Sequence, residues 1–115
     1  MAAISNILVG IIAVLHFGFL YLEMFLWDKP AGRRVFRMTE AFAKESKTLA
    51  ANQGLYNGFL AAGLIWGLFA GDEVKTFFLI CVMIAGIFGA FTVSRRVLFI
   101  QALPALFALV LMVVF

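Results

Sequence analysis

The sequence predicts an all-α integral membrane fold: a four-transmembrane-helix bundle with a short amphipathic interfacial helix between helices 1 and 2. Three observations predict it. Of the 115 residues, 65% are hydrophobic, with a mean hydropathy of +1.10, whereas a soluble domain is closer to half apolar. The apolar residues fall into four runs, each close to the roughly 20 residues a helix needs to cross a hydrocarbon core of about 30 Å. Those runs are continuous and do not alternate with period two, which argues against a barrel. Little remains beyond one connection. Residues 1–115 therefore read as a single membrane domain with no soluble catalytic domain.

The first span covers residues 4–27. It lacks a basic leader and an Ala-x-Ala site, so it is expected to stay in the mature protein. Asp28-Lys29-Pro30-Ala31-Gly32 then breaks the helix, because proline and glycine disfavour its continuation. Arg33 to Leu49 reads as an amphipathic helix. Val35, Met38, Phe42 and Leu49 fall on one stripe, and Glu40–Lys44 makes a favourable i,i+4 pair. The remaining spans are expected at about 52–70, 76–94 and 97–115. Span two has two small-residue rows on nearly opposite faces: Gly54, Gly58 and Ala62, and Gly63, Gly67 and Gly71. Small residues let helices approach closely in lipid. Span two should therefore be central, with neighbours on both sides. Packing within the chain is the first reading of such rows, and a homodimer face is the second. The lone Cys81 in span three cannot form an internal disulfide and reads as a small core residue.

The basic residues set the orientation. Lys29, Arg33, Arg34, Arg37, Lys44 and Lys47 lie between spans one and two, and Arg95 and Arg96 between spans three and four. Both connections are on one side, and only Lys75 is on the other. Basic loops stay cytoplasmic, so both termini should face outward. The 28–51 segment is expected to lie against anionic membrane lipid head groups, or simply to enforce topology. Its charge hugs a membrane span, so it does not point to nucleic acid.

The functional lead is a pair inside the first span, His16 and Glu23, surrounded by apolar residues. A carboxylate at a helix centre costs roughly 2.5–3.5 kcal/mol on insertion scales, and proteins that keep one usually give it a partner, a cavity or a job. The two residues share a helix face about 10 Å apart along the axis. From the same side, span two brings Asn52, Gln53, Tyr56 and Asn57. Spans three and four bring Arg95, Arg96 and Gln101, and Pro104 follows, a residue expected to kink span four and free a carbonyl. One explanation is a polar intramembrane pocket open to the cytoplasm, with His16 and Glu23 as acid–base groups. The other residues, with Trp27, would contact a small or amphiphilic ligand. The plainer explanation is an ion pair of Glu23 with Arg95 or Arg96, amide hydrogen bonds acting as interhelical glue, and Trp27, Tyr21 and Tyr56 as interface anchors. One histidine and scattered carboxylates fall short of a zinc or iron site, and no cofactor fingerprint is present.

Three motifs carry a family resemblance: His16-Phe17 through Glu23-Met24-Phe25-Leu26-Trp27, Asn52-Gln53-Gly54 with Tyr56-Asn57-Gly58, and Gln101-Ala102-Leu103-Pro104-Ala105. Together they resemble the small bacterial four-helix membrane proteins of domain of unknown function 1304. The resemblance covers essentially the whole chain. It implies a multi-pass protein of the bacterial inner (plasma) membrane with no established activity. Three function classes follow: a ligand-binding pocket with acid–base chemistry, a small proton-coupled transporter or efflux protein, and a structural or accessory subunit. Transport needs access from both faces, and the polar layer reaches only the cytoplasmic half. The orientation is directly testable. A cysteine placed at the C-terminus should react with an impermeant reagent applied from outside the cell, and labelling from the cytoplasm alone would reverse the assignment.

Overall fold

In the computed structural model, residues 2–114 are described, and all the regular structure among them is helical. The helices are α1 (Ala2–Phe25), α2 (Pro30–Phe36), α3 (Glu40–Ala70), α4 (Asp72–Thr92) and α5 (Arg95–Val114). Among the described residues three helices, α1, α4 and α5, are long and apolar enough to cross a membrane. The segment expected as the second span is helical within α3, and Asn52, Gln53 and Asn57 lower its hydropathy. The chain divides into two compact units. One comprises Leu15–Phe59, and the other Met1–Val14 with Leu60–Phe115.

In the unit of Leu15–Phe59, the expected amphipathic helix over Arg33–Leu49 is not one helix. The break lies at Arg37, which adopts a left-handed conformation (φ 54°) and closes α2 through its backbone N–H to the Arg33 carbonyl. Thr39 then starts α3, its Oγ1 accepting from the Phe42 N–H at 3.1 Å. A threonine cap followed by Glu40 in the first turn is a strong helix start, and the apolar stripe concealed it. No glycine or proline separates Leu49 from Asn52, so α3 passes through the expected boundary at residue 51 without interruption. At about 1.5 Å per residue, its 31 residues exceed the hydrocarbon thickness. Glu40 pairs with Arg33 at 3.9 Å and not with Lys44.

The second unit has a core of Val9, Ile12 and Ala13 from α1, Leu64 from α3, Leu79 and Val82 from α4, and Ala105 and Ala108 from α5. Its outer surface is also apolar: Phe69, Phe91 and Val113 are more than four-fifths exposed. A helix hydrophobic all round suits lipid or a large core. Gly71 joins α3 to α4 with φ 114°, a conformation open mainly to glycine. Asp72 and Glu73 follow in the first turn of α4, where negative charge is favoured. The kink expected at Pro104 takes the form of a π-turn over Leu98–Ala102, in which the Leu103 N–H reaches back to the Leu98 carbonyl. Widening the preceding turn relieves the crowding that a proline ring imposes on the carbonyl four residues earlier.

Of the small-residue rows, Gly63 and Gly67 lie against Phe78 and Lys75 of α4 in this unit. Ala62, in the same unit, is exposed; in the other unit Gly54 and Gly58 lie against α1. The backbone of α5 is met at Gly86, where a Cβ would sit 2.7 Å from the Ala102 nitrogen and 2.9 Å from its Cβ. Gly86→Ala should therefore lower stability by about 1–3 kcal/mol, the cost of overpacking a core. A Cβ at Gly10 would meet nothing within 4 Å, so Gly10→Ala should be neutral or stabilising by up to about 1 kcal/mol. Thermal unfolding of both variants in one detergent checks the contrast.

Candidate functional site

The site lies within the unit of Leu15–Phe59. On α3, Ala43, Ala50, Gly54, Asn57 and Gly58 are buried and form one helical stripe of small side chains. Facing it on α1 is Glu23, 3% exposed, and His16 on the same helix is fully buried. Their separation by seven residues puts both on one face, as the spacing predicts. A Cβ on Gly54 would sit 2.8 Å from Met24 Cγ, 3.0 Å from Glu23 Cβ and 3.2 Å from the Leu20 carbonyl oxygen. Only a bare backbone lets α1 come so near.

At that distance short amide side chains reach the carboxylate. Gln53 Nε2 donates to Glu23 Oε2 at 2.9 Å, and Asn57 Nδ2 donates to Glu23 Oε1. Gln53 and Asn57 are i,i+4 neighbours, so one helix face presents both donors. A buried charge is ordinarily paired with an opposite one. Here the donors are neutral, and among the described residues Glu23 has no cationic partner. Each carboxylate oxygen has about two acceptor positions, so one on each remains for another donor.

Beside the clamp is a partly open cavity of about 160 Å³ lined by Glu23, Trp27, Ser46, Leu49, Ala50 and Gln53. Its rim is held by two consecutive pairs. Trp27 Nε1 donates to Ser46 Oγ at 2.9 Å, and Ser46 Oγ donates to the Phe42 carbonyl at 2.6 Å. Asp28 Oδ2 meets Lys47 Nζ at 3.2 Å. The Trp27 ring also lies 4.8 Å from that of Phe36. Trp27 is thus fixed by protein contacts beyond the anchoring expected of it.

The structure brings together Glu23, Trp27, Gln53 and Asn57 of the residues singled out from sequence. His16 lies deeper on the same helix, its ring 5.4 Å from that of Phe19, and does not line the cavity. Asn52 and Tyr56 are exposed on α3, the latter beside Phe59. Arg95, Arg96 and Gln101 belong to the other unit: the arginines are exposed in the first turn of α5, and Gln101 is in its π-turn. Ser46, Leu49 and Ala50 were missed. The available signal was register, because Ser46 lies seven residues before Gln53 and so on the same stripe. Among the described residues no three histidine, cysteine or acidic side chains gather as a metal site.

The sequence matches the family described as Protein of unknown function (DUF1304) over residues 10–113. The chain belongs to the DUF1304 family. The match takes in every residue of the clamp and the cavity. This DUF1304 chain is also 30% identical over 115 residues to the "Uncharacterized protein YpaA" of Lactococcus lactis subsp. lactis (strain IL1403), covering 96% of the chain and 97% of the relative. No solved structure matches it.

The Asp28–Lys47 contact makes a pH prediction. The Lys47 ammonium beside Asp28 holds its carboxyl below the ordinary value of 3.8. Above that value the pair contributes in full. As the pH falls through it and towards the lower native value, the unfolded chain takes up the proton first and the contribution fades. Lys47→Met has no such contribution to lose. Between about pH 5 and pH 3 the melting temperature should fall less in Lys47→Met than in the wild type, and equal falls would remove the pair from the account.

Proposed function

We propose that the cavity beside Glu23 binds the polar end of a small or amphiphilic molecule, with Glu23 as the group the ligand meets. The observation that carries this reading is a nearly inaccessible carboxylate held by two neutral amides, with no cationic partner among the described residues. Such a group takes a hydrogen bond or a positive charge from outside the chain. A cavity of about 160 Å³ is smaller than the roughly 300–1,000 Å³ of sites that enclose a drug-sized ligand. It accepts an ammonium, a hydroxyl or a similar group, leaving the rest of the molecule outside. Where the ligand carries a transferable proton, Glu23 is the group placed to accept or return it. His16, two turns deeper, is the second proton-carrying group on that face.

In this reading the protein is a four-span bundle of the bacterial inner membrane, with the 28–51 segment cytoplasmic and both termini outside. The basic residues support it. Arg34, Arg37 and Lys44 are exposed and available to anionic head groups. Lys75, the dissenting residue on the other side, is 6% exposed, bonded to Asn6 Oδ1 at 2.7 Å and paired with Asp72 at 3.0 Å. It adds little free charge to the outer side.

A second reading rests on the same clamp. Both Glu23 oxygens already have donors, as a structural tie between α1 and α3 requires. Native mass spectrometry of protein released from its own membrane separates the two. Ligand binding predicts a discrete bound mass in the wild type. It should be lost in Glu23→Gln and reduced in Leu49→Trp, which puts a bulky ring on the cavity wall at a residue outside the clamp. Asn57→Leu should lower stability by about 1–3 kcal/mol by stranding a buried carboxylate oxygen. A wild type without bound mass, or a mass kept in Glu23→Gln, would leave the structural tie as the role of Glu23.

A further inference from the structure

In the unit of Met1–Val14 and Leu60–Phe115, a groove of about 290 Å³ lies where α3 ends and α4 begins. It is lined by Trp66, Glu73, Val74, Phe77 and Phe78. Three of its five side chains are aromatic, and they are set at angles to one another. Phe77 and Phe78 meet nearly perpendicular (88°) with centroids 5.2 Å apart, and Trp66 meets Phe78 at 65° and 6.4 Å. Gly63 fixes the middle ring: a Cβ there would fall 2.3 Å from Phe78 Cε1, so the ring rests on bare backbone. Several aromatic rings bordering one groove are the kind of lining in which aromatic side chains hold an organic cation.

The fourth element is Glu73. It is exposed, and among the described residues it has no ion-pair partner. Lys75, the nearest cation in sequence, is committed to Asp72 and Asn6. From Glu73 an exposed stripe continues along α4 through Phe77, Ile80 and Ile84, which are 60%, 40% and 60% exposed. The steps of four, three and four keep these residues on one face. A carboxylate and an aromatic box at one end of an apolar stripe match a molecule with a cationic head and a hydrocarbon chain.

We propose that this groove is a second binding site, distinct from the Glu23 cavity, for the ammonium head group of an amphiphile. The head sits among Trp66, Phe77 and Phe78 against Glu73, and the alkyl chain lies along Ile80 and Ile84. The rings supply the face attraction, the carboxylate supplies the countercharge, and the stripe supplies apolar contact.

The test is Trp fluorescence of the full chain in a neutral maltoside detergent, titrated with octyltrimethylammonium. Octyl sulfate at equal concentration is the control. The expected result is a saturable change with the cation only, weaker for tetramethylammonium, which has no chain. Trp66→Leu should abolish most of the signal, and by calorimetric titration weaken binding roughly fivefold. Glu73→Gln should weaken it roughly threefold. Phe77→Leu keeps an apolar side chain and loses the ring face, so it should also bind less well. These substitutions are on exposed or half-exposed side chains, and helical circular dichroism confirms that each variant is folded. An equal response to octyl sulfate would overturn the proposal. So would unchanged affinity in both Glu73→Gln and Trp66→Leu. Loss of the response in Glu23→Gln with retention in Glu73→Gln would assign the probe to the other cavity and overturn it as well.

Discussion

At Gly54 the backbone of α3 comes so close to α1 that a single added carbon would strike Met24, Glu23 and the Leu20 carbonyl. The chemistry of that unit follows from this approach. Helices separated by ordinary side chains have axes about 8–10 Å apart, and a carboxylate on one would need a long partner from the other. With the wall of α3 reduced to glycine and alanine, the short amides of Gln53 and Asn57 suffice. The same device recurs in the other unit. Gly63 seats the Phe78 ring, and Gly86 lets α4 meet the π-turn of α5. In an apolar medium, where burial gives helices little reason to associate, close packing of this kind is what holds them together.

The choice of amides has a consequence. An arginine or lysine beside Glu23 would neutralise it and close the site. A pair of amides holds both oxygens of the Glu23 carboxyl by hydrogen bonding and gives it no ionic partner. It also leaves acceptor capacity on both oxygens. The cations of this unit are turned to other work: Lys47 holds Asp28, Arg33 faces Glu40, and Arg34, Arg37 and Lys44 are exposed. The Trp27–Ser46 and Asp28–Lys47 contacts tie the end of α1 to α3 at two successive positions. The mouth of the cavity is therefore a defined edge, not a frayed helix end.

Much of this was legible in the sequence. Hydropathy gave α1, α4 and α5, but the break expected over Asp28–Gly32 lies at residues 26–29. Pro30 and Gly32 are in the first turn of α2, where a proline is tolerated because its missing N–H has no helical partner to lose. The spacing of His16 and Glu23 gave one buried face, and Gln53 and Asn57 were read as i,i+4 neighbours at that level. The partner drawn for Glu23 was Arg95 or Arg96, whereas the two amides hold it. What failed to read through has physical reasons. Thr39 is an ordinary cap sitting inside a stripe that looked continuous, so the 33–49 helix was drawn across it. The boundary at residue 51 was placed by hydropathy alone, and a helix does not end where polarity changes if no residue stops it. Asn6 and Lys75 come together across 69 positions, and no local pattern encodes that. The aromatic groove pairs the last turns of one helix with the first turns of the next across Gly71, a geometry set by one backbone angle.

The distribution of charge connects the two sites. The chain carries nine lysines and arginines against six acids, a net charge of +3, so cations are not scarce. The two carboxylates that line cavities, Glu23 and Glu73, are without ionic partners among the described residues, as is the exposed Glu45, while Asp28, Glu40 and Asp72 have them. If packing alone governed placement, a surplus of basic side chains would satisfy the buried acid first, because that is where an unpaired charge costs most. The opposite holds. Glu23 and Glu73 each border open space with aromatic or apolar walls, where a charge interacts more strongly than it does in bulk water. Each of the two cavities thus has one carboxylate in its wall and none of the chain's own cations.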